Sequence, residues 1–175
     1  MKYITTILLI CLFFNCFAPS KTGKTFRNEF IEFRQTKKDI LNYIESHENF
    51  PFIDSIHYDI NGNATIGFGH LIKSNEKFNK IDINEARKLL EDDFNESIRL
   101  VEFNYPFLKD NKLYAISHLC YCVGIGNVLR NDLFESDELN IDKLLSICYN
   151  YNKKNPTMYN CRIFEANLFV GVKLF

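Results

Sequence analysis

The chain has 175 residues, of which 46% are hydrophobic and 25% are charged, so it is long and apolar enough to fold around one core. Its 21 basic and 22 acidic residues give a formal net charge of −1. This balance argues against nucleic acid as a partner, because binding to phosphates depends on a surplus of Lys and Arg.

The first twenty residues have the pattern of a secretory signal peptide. Lys2 is followed by an apolar run from Tyr3 to Phe17 and then by the small-residue segment Ala18-Pro19-Ser20. A retained membrane anchor is the alternative, but the apolar run is shorter than the about 20 residues needed to span a bilayer. We therefore expect residues 1–20 to be cleaved, which leaves 21–175 as a single domain without stable membrane insertion.

A helix and a β-hairpin are the next elements predicted along the chain. Thr36 and Asp39 resemble a helix capping box, and apolar residues at helical spacing follow them. Asn61-Gly62, the strongest two-residue hairpin signal, lies within a segment of short strands from Ile56 to Phe68. We expect this helix and hairpin to form a small α+β lobe at about 37–80.

A long helix is predicted to connect this lobe to an all-helical lobe. Asp82 and Glu85 form a second capping signal, and one apolar stripe then continues for about five turns, which predicts an interlobe helix at about 83–103. Further helices are indicated at Leu113–Val123, Ile141–Tyr149 and Cys161–Phe169. The predicted fold class is α+β, with the helical lobe at about 104–175.

Signal cleavage would leave four cysteines, Cys120, Cys122, Cys148 and Cys161. If Cys120 and Cys122 share a helix, their side chains diverge and cannot bond to each other, so each would pair with Cys148 or Cys161 in an oxidised chain. The alternative is that all four are small buried hydrophobic residues. A zinc site needs a tighter set of ligands than this spacing offers.

The hairpin concentrates polar side chains that suit hydrolytic chemistry. Asp59 and Thr65 flank the Asn-Gly turn, and cross-strand neighbours about 5 Å apart could hold one water molecule between them. Gly67 leaves the following strand open to a ligand or to another backbone. Taken singly, Asp59 could instead cap the turn and Thr65 could be an ordinary strand residue.

Two glutamates, Glu45 and Glu48, occur at the end of the first predicted helix, before the hairpin. A carboxylic acid near a carboxylate with a water site is the equipment for glycosidic hydrolysis. Either glutamate could also be a solvated charge at the helix end.

A specific resemblance is carried by the segment from Glu48 to His70. Its pattern Tyr58-Asp59-x-x-Gly62-x-x-Thr65-Ile66-Gly67-x-Gly69-His70 resembles the active-site region of phage-type lysozymes, glycoside hydrolase family 24. The start of the long helix, Val123-Gly124-x-Gly126 and Arg162-x-x-Glu165 resemble later segments of that family in the same order. The resemblance covers nearly all of residues 37–175.

This resemblance implies a lysozyme fold that binds peptidoglycan between its lobes, without a metal ion or an organic cofactor. Glu48 matches the general acid, Asp59 the carboxylate that activates water and Thr65 the hydroxyl that positions the water, in a reaction regarded as inverting. Glu45 is the alternative acid, because the segment between Glu48 and Asp59 is longer than usual in the family. Cys161 stands where the family commonly has an Arg.

We therefore expect a monomeric lysozyme that hydrolyses the β-1,4 bond between N-acetylmuramic acid and N-acetylglucosamine in bacterial cell-wall peptidoglycan. It would be secreted or reside in the lumen of a digestive or lysosomal vacuole. The alternative is a lysozyme-like protein that binds a glycan or a protein without cleaving it, and the joint presence of Glu48, Asp59 and Thr65 favours the enzyme. A membrane-disrupting defence protein would normally carry an excess of positive charge, which this chain lacks.

Overall fold

The computed structural model describes residues 35–46, 51–59, 61–152 and 157–171, and it describes no side chains at 148–152 and 157–159. The predicted signal peptide and Glu48 lie outside the described residues. In chain order the elements are α1 (Lys37–Ser46), β1 (Ile53–Tyr58), β2 (Ala64–Gly67), β3 (His70–Leu71), α2 (Ile83–Asn104), α3 (Asp110–Val123), α4 (Ile125–Arg130), β4 (Phe134–Glu135), β5 (Glu138–Leu139), α5 (Ile141–Asn152) and α6 (Thr157–Phe169).

Helix α1 begins at the capping box that the sequence predicts. The Thr36 backbone N–H and Oγ1 donate to Asp39 Oδ2 at 2.8 and 2.7 Å. These hydrogen bonds hold the pKa of Asp39 below its usual range, with the Thr36 backbone N–H as the largest cause. Ile40 and Ile44 are fully buried, so one face of α1 packs into the core.

Strands β1, β2 and β3 form an antiparallel sheet in that order. Tyr58 pairs with Ala64 beside the turn. Gly62 in the turn has a φ of 81°, in the left-handed region that glycine adopts without a steric cost. The hairpin predicted around Asn61-Gly62 is therefore confirmed.

Gly67 marks a close contact between the sheet and helix α2. A Cβ at this position would lie 3.2 Å from both Ala86 Cβ and Ile81 Cδ1. Such a contact is tight for packed carbon atoms, and the Gly67 φ of 68° would strain any other residue. The glycine thus lets the helix approach the sheet. Of the two alternatives that the sequence left open for Gly67, a ligand or another backbone, the second is confirmed, because Ala86 Cα of helix α2 would lie 3.5 Å from that Cβ.

Helix α2 is the long helix predicted between the two lobes. Asp82 Oδ1 accepts from the backbone N–H groups of Asn84 and Glu85 at 2.7 and 2.9 Å, and Glu85 Oε2 accepts from the Asp82 N–H at 2.9 Å. The helix has 22 residues, which corresponds to about 33 Å. Its buried side chains recur every three or four residues: Ala86, Leu90, Phe94, Ser97 and Val101.

The remainder of the described chain is mainly helical, which confirms the predicted α+β class. Gly124, with a φ of 78°, ends α3 and precedes the short helix α4. Neither α4 nor the β4–β5 hairpin was predicted, because elements this short leave no clear periodic pattern. None of the described helices is both long enough and apolar enough to cross a membrane.

Candidate functional site

The carboxylate of Asp59 is held by the hairpin turn. Its Oδ1 accepts from the backbone N–H groups of Asn61 and Asn63, each at 2.8 Å. Its Oδ2 accepts from the Asn63 side-chain amide at 2.9 Å. Asp59 therefore caps the turn, which is one of the two roles that the sequence left open for it. The same contacts fix the orientation of its carboxylate near the protein surface.

These contacts also favour the ionised form of Asp59. Hydrogen bonds from Asn63, first from its side-chain amide and then from its backbone, hold the pKa of Asp59 below its usual range. Burial opposes this shift only weakly, because the carboxylate lies near solvent. Asp59 is thus a carboxylate in neutral and mildly acidic solution, the state in which it can accept a proton.

Thr65 is paired with His57 and not with Asp59. The strand register places His57 opposite Thr65, and Thr65 Oγ1 lies 3.0 Å from His57 Nε2 and 3.4 Å from the His57 carbonyl oxygen. Asp59 pairs instead with Asn63, whose carbonyl oxygen accepts from the Asp59 N–H at 2.9 Å. The expectation that Asp59 and Thr65 are directly opposite is therefore wrong.

The observed register nevertheless places Asp59 and Thr65 on one face of the hairpin. Asp59 follows His57 by two residues, and side chains two apart in a strand point to the same face. Diagonal neighbours of this kind lie about 7–8 Å apart. His57 is the member of this face that the sequence did not indicate as a partner of Thr65.

Glu45 connects helices α1 and α2. Its Oε2 accepts from Arg87 Nε at 2.9 Å, and its side chain is 23% exposed against 52% for Arg87. The alternative acid is therefore engaged in a contact between two helices. Glu48 follows the end of α1 by two residues and lies outside the described residues, so its assignment stays a prediction.

Beneath the hairpin, His70 connects β3 to two other segments. Its Nδ1 lies 2.7 Å from Asp93 Oδ2 on α2, and its Nε2 lies 3.1 Å from Glu76 Oε2. The hydrogen bond with Asp93 is the main reason that the pKa of His70 is raised, although burial opposes the shift. Tyr121 Oη on α3 adds a hydrogen bond to the Phe68 carbonyl oxygen at 2.7 Å. The hairpin is thus anchored to both neighbouring helices.

A second set of polar residues is enclosed in the helical lobe. Glu165 Oε1 accepts from Arg162 Nη2 at 2.5 Å and lies 2.7 Å from His118 Nδ1. All three side chains are at most 1% exposed. Tyr43 of α1 stacks on Phe164 with ring centroids 3.6 Å apart, next to His118. The Arg162-x-x-Glu165 motif thus forms a buried ion pair.

One possible metal-binding group among the described residues consists of His118, Cys122 and Glu165, whose ligand atoms lie within 4.8 Å of one another. The spacing of the cysteines did not indicate it, because Glu165 comes from a different helix. The Glu165 oxygen next to His118 also accepts from Arg162, so a metal ion would have to compete with a guanidinium. The expectation of no metal or organic cofactor stays a prediction.

Neither Asp59 nor Thr65 lines either of two concavities beside helix α2. One of about 440 Å³ lies between residues 77–81 and α2, and one of about 330 Å³ lies beside Glu45. Thr65 is buried, and Asp59 is half-buried beside the turn.

Solved structures include two similar chains. The muramidase domain of SpmX from Asticaccaulis excentricus is 18% identical with a TM-score of 0.52, over 78% of this chain and 98% of that domain. This likeness shows the shared lysozyme-like fold. A phage endolysin from S. enterica is 25% identical with a TM-score of 0.45, over 52% of this chain and 92% of its own.

The family comparison concerns the sequence itself. No curated protein sequence matches the chain. The family described as Phage lysozyme matches residues 51–155, which is more than half of the chain. The matched range contains Asp59, Thr65, His70 and the whole of α2. By this match, and in agreement with its fold, the chain belongs to the phage lysozyme family.

Proposed function

We propose that this protein is a muramidase that hydrolyses the β-1,4 bond between N-acetylmuramic acid and N-acetylglucosamine in bacterial peptidoglycan. Membership of the phage lysozyme family supports the substrate class. The observation that carries the proposal is the ionised Asp59 carboxylate, fixed by the turn on the same face as Thr65 within the matched segment.

In the proposed reaction, Glu48 donates its carboxyl proton to the glycosidic oxygen as the bond from that oxygen to C1 of N-acetylmuramic acid breaks. A water molecule attacks C1 from the opposite face and transfers a proton to Asp59. Glu48 ends as a carboxylate and Asp59 as a carboxylic acid, and exchange with solvent restores both. Because water attacks from the face opposite the leaving group, the first product has the α configuration.

Thr65 is proposed to orient the attacking water. Its hydroxyl contacts His57 at 3.0 Å, which fixes Oγ1 beside the Asp59 face. A water molecule that donates one hydrogen to Thr65 Oγ1 and the other to Asp59 keeps an oxygen lone pair for attack on C1. His57 acts here as a positioning residue, because its only contact in this scheme is with Thr65.

The acid role is assigned to Glu48 because Glu45 is already engaged with Arg87 at 2.9 Å. Glu48 is also closer along the chain to the hairpin. Phe52 lies between the end of α1 and β1, with its ring centroid 5.9 Å from that of Phe68 in the hairpin. We propose that apolar side chains such as Phe52 raise the pKa of the Glu48 carboxyl group, as a general acid requires.

Clearing of a suspension of purified bacterial cell walls tests the activity and the two acids together. We expect Glu48→Gln to lower the rate by roughly 100-fold or more and Glu45→Gln to retain most of it. The reverse pattern would assign the acid role to Glu45. No clearing by the wild-type protein, with glycan binding retained, would favour the non-enzymatic alternative.

The stereochemistry of the fresh product tests the role of Asp59 separately. NMR of a newly cleaved oligosaccharide should show the α anomer before mutarotation. Initial formation of the β anomer would contradict the water mechanism, even if Asp59 were essential. In that case Asp59 would act as a nucleophile.

We further propose that the protein is a monomer, released by cleavage of the signal peptide 1–20 to the exterior or to a digestive or lysosomal lumen. The sequence pattern of this segment supports the proposal. N-terminal sequencing of the protein from its own host should begin near Lys21, and light scattering should give the mass of one chain. An intact N-terminus on membrane-bound protein would contradict cleavage.

A further inference from the structure

We propose that Cys122 and Cys161 form a disulfide bond in the mature protein. Cys122 lies in the last turn of α3 and Cys161 in the first half of α6. Their side chains are hydrogen-bonded to each other between the two helices, and Cys122 Sγ lies within 4.8 Å of the carboxylate of Glu165, one turn beyond Cys161 on α6. The bond would close a loop of about 40 residues and join α3 to α6 at the centre of the helical lobe.

The geometry selects Cys122 over its neighbour Cys120. Cys120 is buried and hydrogen-bonded to Ser97, so its thiol points toward α2. Two residues of helix separate the directions of the two side chains by about 200°. Only Cys122 of this pair therefore reaches α6. Among the described cysteines, this contact favours Cys161 as the partner of Cys122.

The surrounding charges favour a disulfide over a metal ion. Arg162 and Glu165 form a buried ion pair at 2.5 Å, and His118 lies 2.7 Å from the same carboxylate oxygen. A divalent cation at Cys122 would place further positive charge near the Arg162 guanidinium, at a carboxylate that is already occupied. A disulfide is uncharged, so it adds no electrostatic cost to this buried group.

Formation of the bond requires an oxidant, and a small-molecule disulfide such as oxidised glutathione can act as this oxidant. The thiolate of one cysteine attacks a sulfur of this disulfide and releases one glutathione thiolate. The thiolate of the other cysteine then attacks the mixed disulfide and releases the second glutathione. The two protons lost by Cys122 and Cys161 end on the two glutathione thiols, and two electrons pass to glutathione.

The burial of the two cysteines determines when during folding they can be oxidised. Cys161 is fully buried and Cys122 is half-buried, so glutathione cannot reach Cys161 in the folded protein. Oxidation must precede the docking of α6 or accompany its local opening. The folded structure then holds the two sulfurs together and protects the bond from reductants.

The experiment refolds the chain 21–175 in a buffer of oxidised and reduced glutathione and compares it with the same chain refolded under reducing conditions. Peptide mapping without reduction should recover one linked pair containing Cys122 and Cys161, 2 Da lighter than the two thiol peptides. The oxidised protein should unfold at a Tm higher by roughly 5–15 °C. Bound zinc is measured by elemental analysis on both samples.

Three variants make the result specific. Cys122→Ser and Cys161→Ser should each remove the linked peptide and the Tm difference between the two refolding conditions. Cys120→Ser, on the same helix, should retain both, and Cys148→Ser should do the same. Because each variant is compared with itself under oxidising and reducing conditions, a general loss of stability does not imitate the effect.

Several outcomes would overturn the proposal. They are recovery of Cys122 and Cys161 as thiols after oxidative refolding, a bond from either residue to Cys120 or Cys148, and zinc retained at one ion per chain with both thiols protected. None of these depends on activity toward peptidoglycan. The disulfide and the proposed muramidase reaction can therefore fail independently.

Discussion

The hairpin and the centre of the helical lobe each hold a carboxylate, but the two carboxylates differ in their hydrogen-bond donors and in their exposure to solvent. Asp59 is held near the surface by backbone and amide N–H groups of its own turn. Glu165 is fully buried, where it is held by the Arg162 guanidinium and His118. One carboxylate is oriented by neutral donors and accessible to solvent, and the other is compensated by charge and excluded from it.

This difference predicts that Asp59 contributes mainly to activity and Glu165 mainly to stability. An accessible carboxylate with a lowered pKa can accept a proton, and its loss should change activity more than folding. A buried carboxylate that compensates an Arg is inaccessible to a polymeric substrate, and its loss should change folding first. Substitutions in the two regions therefore test the contrast directly.

The largest effect on stability is expected at Glu165. Glu165→Gln removes the negative charge that Arg162 contacts in the core, so the free energy of unfolding should fall by about 3–5 kcal/mol. Urea unfolding followed by circular dichroism measures this change. Glu96→Gln is the control, because its ion pair with Arg99 is exposed and should contribute less than about 1 kcal/mol. Equal effects of the two substitutions would abolish the contrast.

Asp59→Asn should have the converse effect. An Asn oxygen can still accept from the Asn61 and Asn63 N–H groups, so the turn should persist and Tm should change little. Cell-wall clearing should slow by roughly 100-fold, which corresponds to about 3 kcal/mol of transition-state stabilisation. A large loss of Tm with only a proportionate loss of activity would show that Asp59 is structural.

A smaller effect, with a defined pH dependence, is expected at Asp93. The contact with Asp93 raises the pKa of His70 above its unfolded value, so its stabilisation is complete below about pH 6.5 and is lost as the pH rises through the folded pKa. Asp93→Asn should cost about 2 kcal/mol at pH 5.5 and less at pH 9. Urea unfolding at both values measures this. A pH-independent difference would show that His70 contributes only as a neutral ring.

The smallest effect is expected at Asn63. Its side-chain amide is the largest cause of the lowered Asp59 pKa, so Asn63→Ala should raise that pKa. The acidic limb of the pH–rate profile for wall clearing should then move to higher pH, with little change near neutrality. Asn61→Ala should move it less, because Asn61 contributes mainly through its backbone N–H. If the acidic limb did not move after Asn63→Ala, the ionisation of Asp59 would not be what limits the rate at low pH.

Most of the fold could be predicted because its helices carry local signals. The capping boxes at Thr36 and Asp82 begin α1 and α2 as predicted, and α2 ends one residue beyond its predicted end. Helix α6 begins at Thr157, four residues before the predicted start, because its first turn lacks a clear apolar pattern. Contacts made through tertiary structure, such as His118 with Glu165, had no local signal.

The hairpin register shows where sequence reasoning about the site failed. A two-residue loop at Asn61-Gly62 would differ by one residue from the observed register. The structure pairs Asp59 with Asn63, which leaves three residues in the loop, and Gly62 takes the left-handed conformation typical of that loop length. A two-residue loop would pair Thr65 with Tyr58, and the observed register pairs it with His57, so Asp59 is not directly opposite Thr65 in either case. Loop length was decided by the Asp59 side-chain contacts, which pattern analysis did not include.

The amide of Asn63 has a consequence for glycosylation. Asn63-Ala64-Thr65 and Asn95-Glu96-Ser97 both have the N-glycan acceptor pattern. The Asn63 amide nitrogen, to which a glycan would attach, already donates to Asp59 at 2.9 Å, so an attached sugar would stand over that carboxylate. Asn95 is exposed on α2. In a cell that attaches N-glycans, we therefore expect the glycan at Asn95 on α2 and no glycan at Asn63 in the hairpin.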